Sequence, residues 1–144
     1  MKAKILIICT GNTCRSQMAE HILRSFDPEL DIFSAGTEPG KIINPRTVKV
    51  MAEMGIDVSK SRPRKLDCFV TSPFDYVITV CDDAREKCPV FQGMVKNRLH
   101  IGFDDPAMAT GTEAQVMDFY RTIRDQIKAK FLEFYYHIKN NTHD

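Results

Sequence analysis

The sequence predicts an α/β fold, a parallel sheet of about four strands with helices on both faces, in three layers. Three observations point to it. Short apolar runs alternate with stretches whose apolar residues recur every three or four positions, a pattern that favours parallel strands joined by helical crossovers. The 144 residues are the length of one ordinary domain, and 43% of them are hydrophobic, enough for one core. No repeat, low-complexity tract or long linker divides the chain, so residues 1–144 are expected to form a single domain.

The elements follow in order. Lys4 to Cys9 reads as the first strand, with Ile5 to Ile8 as its apolar run. Ser16 to Phe26 reads as a helix with Met18, Ala19, Ile22 and Phe26 on one face, stopped by Asp27-Pro28. Asp31 to Ser34 is a short second strand. Asn44 can cap a helix with Pro45 at its first position, Val48, Met51 and Ala52 on its inner side, and Gly55 just past its end. Phe74 to Cys81 contains Tyr76-Val77-Ile78-Thr79-Val80, suited to a buried parallel strand, and Arg98 to Phe103 suits a weaker one. From Thr112 to Ile138, residues Val116, Phe119, Tyr120, Ile123, Ile127, Phe131, Phe134 and Ile138 mark one long amphipathic helix whose aromatic stripe is core.

Between the first strand and first helix stands Cys9-Thr-Gly-Asn-Thr-Cys-Arg-Ser16. At a strand-to-helix turn the backbone N–H groups of Thr10, Gly11, Asn12, Thr13, Cys14 and Arg15 can point inward, and the helix N-terminus adds positive potential, so a tetrahedral oxyanion would be cradled. The Arg15 guanidinium would clamp two of its oxygens. The same field would favour the Cys9 thiolate, with the Ser16 hydroxyl as a further donor, and so make Cys9 a nucleophile. Gly11 and Asn12 are residue types that tolerate the left-handed backbone such a loop needs. In open α/β sheets ligands bind beyond the carboxyl ends of the strands. Cys9, Cys81 and Asp105 all fall at such ends, so one mouth could gather them. Asp105 precedes Pro106, which forces an extended backbone and helps aim the carboxyl away from a following helix, where it could protonate a departing oxygen. The alternative is a turn built on Asp104-Asp105-Pro106.

Composition excludes several classes. Twenty Lys plus Arg against nineteen Asp plus Glu give a net charge of +1, so nucleic acid and anionic membranes are not expected partners. The longest apolar run, Ile5 to Cys9, is too short for a membrane span or a signal peptide despite Lys2 and Lys4, and a cytoplasmic protein is expected. Five cysteines without an export signal argue against structural disulfides. No Cys-x-x-Cys pair occurs, and His21, His100, His137 and His143 lack zinc-site spacing, so each His reads as a surface or packing residue and no metal is expected. Cys14 reads as packing, and Cys68 has no assignable role.

The stretches Cys9 to Glu20, Ser34-Ala-Gly36 and Gly102-Phe-Asp-Asp-Pro106 resemble the low-molecular-weight tyrosine phosphatase superfamily, over nearly the whole chain. The segment Val80-Cys81-Asp-Asp-Ala-Arg-Glu-Lys-Cys88-Pro89 resembles the redox element of its thioredoxin-coupled arsenate reductases. Phosphatase members usually carry proline where Gln17 stands and tyrosine where Ala107 stands. The resemblance implies that Cys9 attacks arsenate held by the loop and Arg15 while Asp105 protonates the leaving hydroxide. Cys81 then attacks Cys9, arsenite leaves, and Cys88 resolves the bond into Cys81–Cys88, which thioredoxin reduces. A monomer without metal, flavin or nucleotide is implied. The alternative is a phosphatase working through a Cys9 phosphoenzyme, and a third possibility is a silent oxyanion sensor.

Spacing adds one inference of its own. If residues 82–88 begin as helix, Cys81 and Cys88 stand about 10 Å apart. A disulfide needs roughly 4.4–6.8 Å between Cα atoms. The segment must therefore unwind for the bond to form. The resemblance also raises a potassium site from Asn12, Glu20 and Ser34, but its fourth position aligns near Arg64, which would repel a cation, with Asp67 close by. The basic stretch Lys60 to Lys65 reads most simply as a solvated loop.

Overall fold

The structure, a computed structural model, describes residues 3–140; Lys2 and His143, considered above, lie outside them. Strands β1 (Lys4–Cys9), β2 (Asp31–Gly36), β3 (Phe74–Thr79) and β4 (Val95–His100) form one sheet in the order β2-β1-β3-β4, with every neighbouring pair parallel. Helices α1 (Arg15–Phe26), α2 (Pro45–Ala52), α3 (Asp82–Lys87) and α4 (Glu113–Asn140) alternate with them, as the α/β class requires, with 3-10 turns at Leu66–Cys68 and Pro106–Met108.

β1 is the centre of the molecule. It lies between β2 and β3, and Ile5, Leu6, Ile7 and Ile8 have no exposed surface. Burying four such side chains stabilises the fold by roughly 1.5–3 kcal/mol each before entropy is counted. The rigid strand therefore delivers Cys9 to a fixed point at the sheet's carboxyl edge. α1 and α4 pack side by side, and α4 sets Phe134 edge-on against Tyr76 of β3, with ring centroids 5.1 Å apart. A second aromatic cluster runs through Phe33, Phe69, Phe74 and Phe91.

Local signals set most helix ends. Asn44 Oδ1 accepts from Arg46 N at 2.9 Å, with Pro45 first in α2, and Gly55 beyond the end takes a φ of 78°. At the head of α4, Thr112 N donates to Gln115 Oε1 and Gln115 N to Thr112 Oγ1, a reciprocal capping pair. The buried stripe of α4 is the predicted one with Tyr135 added and Phe119 only half-buried.

Three local expectations need correction. The inner face of α2 is Thr47, Val50 and Met51, with Val48 half-buried and Ala52 exposed. Packing against α4, where Arg124 Nη1 reaches the Val50 carbonyl at 2.9 Å, turns the helix by about one residue from the expected stripe. β2 runs on to Gly36, because Ser34 and Gly36 pair with Ile7 and Cys9 whatever their own propensity. β4 is Val95–His100, not Arg98 to Phe103. It is an edge strand whose residues Lys96 to Leu99 are exposed, so no apolar run marks it, and its register with β3 sets its limits. Gly102 to Asp105 are thereby released into the connection that meets Arg15.

Gly36 closes the approach of β2 to the loop after β1. A Cβ there would lie 2.4 Å from the Thr10 carbonyl oxygen, so only glycine admits that contact.

Candidate active site

The loop between β1 and α1 is held from outside by its carbonyls. Those of Cys9, Thr10, Gly11 and Thr13 accept from the backbone N–H groups of Thr37, Glu38, Gly40 and Asn44. Two backbone donors face Cys9, Asn12 N at 3.2 Å from its Sγ and the N–H of Ser16. Asn12 has a φ of 53°, the left-handed backbone expected for the loop; Gly11, named with it, does not share it. One such residue suffices for the reversal, and asparagine adds what glycine lacks. The buried amide of Asn12 donates to Ser16 Oγ (2.7 Å) and Ser34 Oγ (2.9 Å), and accepts from Gln17 Nε2 (3.1 Å) and Arg64 N (2.9 Å).

Cys9 is only 3% exposed, and its sulfur lies 2.9 Å from Ser16 Oγ. The sequence leads one to expect a favoured thiolate. The structure shows a contest: burial pushes the thiol up, donors from Ser16 and from the backbone of Asn12 and Ser16 pull it down, and the net direction is upward. The thiolate fraction then still climbs tenfold per pH unit across neutrality. The rate of Cys9 alkylation is accordingly expected to rise log-linearly from about pH 6 to about pH 8.5, and Ser16→Ala to lower it roughly tenfold at each pH. A plateau below neutrality would contradict the upward direction.

Arg15 opens α1. Its Nη1 donates to the Phe103 carbonyl at 3.0 Å, and its Nη2 lies 3.6 Å from Asp105 Oδ2. The extended backbone before Pro106 is present at Asp105, with φ −81° and ψ 111°. The carboxyl is not aimed clear of the following turn, however. Its Oδ1 accepts from Ala107 N at 3.0 Å, so Asp105 both builds the turn and faces Arg15. Thr10, Arg15, Cys81, Asp83 and Asp105 line one cavity of about 640 Å³, and Cys9, the buried neighbour of Thr10, is not in its lining. Of the three residues expected at one mouth, Cys81 and Asp105 line this cavity while Cys9 does not, and β3 itself stops at Thr79 with Cys81 following it.

Residues 82–87 are helical, with Cys81 as the N-cap, its Sγ accepting from Ala84 N at 3.4 Å, and Cys88 just past the end. At 1.5 Å of rise per residue the Cα atoms of the two cysteines stand about 10 Å apart, beyond the reach of a disulfide. Cys81 opens onto the large cavity. Cys88 opens onto a second, of about 250 Å³, with Arg85 and Arg98. Burial pushes the Cys88 thiol up, against the pull of Arg98. Cys14 is buried, and its thiol is pushed up to about 12, as suits a packing residue; Cys68 is exposed.

Asn12, Ser34 and Glu20 are contiguous, with Ser34 Oγ donating to Glu20 Oε1 at 2.6 Å. They do not fit a potassium ion. Arg24 pairs with the buried Glu20 carboxylate at 2.8 Å and Arg64 approaches it at 3.8 Å, so guanidinium groups already supply the positive charge. Asp67 is exposed and faces Lys65. Nor is the basic stretch merely solvated: Arg64 N serves Asn12, the Arg64 carbonyl accepts from Gly36 N, and buried Gln17 joins Arg62 O and Ser61 Oγ to the loop. His100, read as surface or packing, bridges Thr79 Oγ1 (2.8 Å) and Asp82 Oδ1 (3.0 Å). Neither role carries a local signal, because each partner is remote in sequence.

Fold and site define a class: a parallel α/β protein whose first strand-to-helix turn wraps a buried cysteine and presents an arginine. The model of the low molecular weight phosphotyrosine protein phosphatase family matches residues 4–143, and the chain belongs to that family. Within it the chain is similar to the arsenate reductase of Bacillus subtilis, 43% identical over 136 residues covering 93% of this chain and 96% of that one. Among solved structures it is similar to an arsenate reductase in the phosphate binding state, at 26% identity and a TM-score of 0.77, with 93% of this chain and 96% of that chain covered. A tyrosine phosphatase from Escherichia coli K30 in complex with sulphate, 20% identical, with a TM-score of 0.77 and coverage of 96% and 99%, shares the fold.

Proposed function

We propose that this protein reduces arsenate to arsenite through Cys9, Cys81 and Cys88, with thioredoxin as the electron donor. The observation that carries the reading is the place of Cys81. Its sulfur lies 3.4 Å from the hydroxyl of Thr10, the neighbour of Cys9, so a second thiol shares the mouth of the oxyanion loop. A phosphatase has no use for it.

The loop N–H groups and Arg15 bind arsenate, and the Cys9 thiolate displaces hydroxide from arsenic, which Asp105 protonates to water. The Cys81 thiolate attacks Cys9 Sγ. The S–As bond breaks with its electron pair going to arsenic, arsenite departs, and a Cys9–Cys81 disulfide remains. Cys88 attacks Cys81 Sγ, releases the Cys9 thiolate and forms Cys81–Cys88, for which α3 unwinds. Reduced thioredoxin takes that disulfide in exchange for its own thiols. The reading extends to one catalytic domain over residues 1–144, acting as a monomer in the cytoplasm, where thiols are kept reduced. Among the described residues no helix is long and apolar enough to cross a membrane.

The test is NADPH oxidation by the protein with thioredoxin, thioredoxin reductase and arsenate. Arsenate-dependent oxidation is the expected result. Its absence, alongside hydrolysis of an aryl phosphate, would overturn the reading in favour of a Cys9 phosphoenzyme.

A further inference from the structure

The imidazole of His100 joins β3, β4 and α3. His100 closes β4 and stands opposite Thr79 in the register of the two parallel strands, so both side chains leave the sheet on the same side. Thr79 is buried, and its Oγ1 lies 2.8 Å from His100 Nδ1, which fixes the ring. The other ring nitrogen, Nε2, lies 3.0 Å from Asp82 Oδ1. A carboxylate only accepts, so Nε2 carries a proton and donates it. The ring also leans over Gly102, where a Cβ would stand 2.8 Å from Nε2, so glycine at that position leaves the imidazole its place.

Asp82 is the first residue of α3, the helix that has to unwind before Cys88 can reach Cys81. Arg85 Nη2 also approaches its carboxylate, at 3.7 Å, but Arg85 stands on the same helix and ties it to nothing else. The bond from His100 therefore fastens the head of α3 to the sheet. An exposed ion pair contributes little, because both side chains must be ordered to make it. Here the imidazole is already ordered by Thr79, with 22% of its side chain exposed against 79% for Asp82, so only the carboxylate has to be held. In a Cys81–Cys88 disulfide the Cα atoms come within about 7 Å, the intervening residues cannot stay helical, and Asp82 turns away with the first turn.

We propose that His100 is a positioning residue that holds α3 folded through Asp82 and so stabilises the free thiols of Cys81 and Cys88 against their disulfide. A contact present in one of two states shifts the equilibrium between them by its whole worth. The disulfide is thereby made easier to reduce. Its reduction takes two electrons and two protons from a dithiol donor, which becomes a disulfide itself, and the two freed cysteines let α3 refold onto His100.

The inference rests on the relay proposed above, and its test keeps the two apart. The protein is equilibrated at one fixed pH with mixtures of reduced and oxidised dithiothreitol, quenched with acid, and the Cys81–Cys88 peptide pair is quantified by mass spectrometry. His100→Phe is expected to raise the equilibrium constant for that disulfide roughly fivefold, the worth of about one hydrogen bond. Asp82→Ala is expected to raise it about fivefold more with His100 present than in the His100→Phe background, a coupling that loss of an acidic residue from the helix N-terminus would not by itself produce. In the reduced protein, amide exchange at residues 85–87 should quicken by a similar factor in His100→Phe while that of α1 stays unchanged. Absence of any Cys81–Cys88 disulfide in the wild-type protein would overturn the relay and this role with it. An equal constant in wild type and His100→Phe, or an equal effect of Asp82→Ala in both backgrounds, would overturn the role of His100 and leave the relay standing. So would exchange that quickens in α1 as well, since the effect would then belong to a loosened fold.

Discussion

Cys88→Ser is expected to stop repeated turnover while leaving one reduction of arsenate intact. The variant retains Cys9, Arg15, Asp105 and Cys81, so adduct formation and the attack of Cys81 on Cys9 proceed, and one equivalent of arsenite is released. The chain then stops as a Cys9–Cys81 disulfide. No other thiol is suited to take over: Cys14 is buried with its thiol pushed up to about 12, and Cys68 lies on the separate 3-10 turn at Leu66–Cys68. Steady-state turnover should fall at least about a thousandfold. A burst of arsenite equal to the enzyme present, with the Cys9–Cys81 peptide pair found by mass spectrometry, is the expected record. Sustained turnover by the variant would remove Cys88 from the mechanism.

The second large effect belongs to a residue without redox chemistry. Asn12→Ala should lower activity by about a hundredfold or more and stability by roughly 3 kcal/mol. The substitution withdraws four hydrogen bonds at a fully buried site, leaving Gln17 Nε2 and Arg64 N without the amide oxygen they share. It also places alanine at a φ of 53°, which costs about 1 kcal/mol. The loop would lose its tie to β2 through Ser34 and to Arg64, and the Asn12 and Ser16 donors that face Cys9 would loosen. Urea unfolding of Asn12→Ala beside Asn12→Gly separates the two costs, since glycine relieves the backbone and restores none of the bonds. An Asn12→Gly protein as stable as wild type would show that the amide network contributes little.

Asn12 also shows how far reading the chain carries. Its residue type betrays the left-handed turn, because that preference is steric and acts within one residue. Its four partners at positions 16, 17, 34 and 64 are another matter. Ser16 and Gln17 are near in sequence, but Ser34 arrives on a parallel strand and Arg64 on a segment that reads, by charge alone, as a solvated loop. The same division holds for Asp105, where Pro106 announces the extended backbone but says nothing of Arg15, 90 residues away in sequence and 3.6 Å away in space.

The sequence by itself determined the fold class, the loop from Cys9 to Ser16, the helices α1 and α4, the Asn44 cap of α2, and the helical spacing that keeps Cys81 from Cys88. These depend on sterics, capping and apolar periodicity acting over a few residues. The tertiary structure decided the limits of the exposed edge strand β4, the guanidinium pairing of Glu20 that leaves no fit for potassium, the upward direction of the Cys9 thiol, and the bond from His100 to Asp82. Each of those depends on burial or on a contact between segments far apart in the chain, and parallel crossovers set such contacts without leaving a local trace.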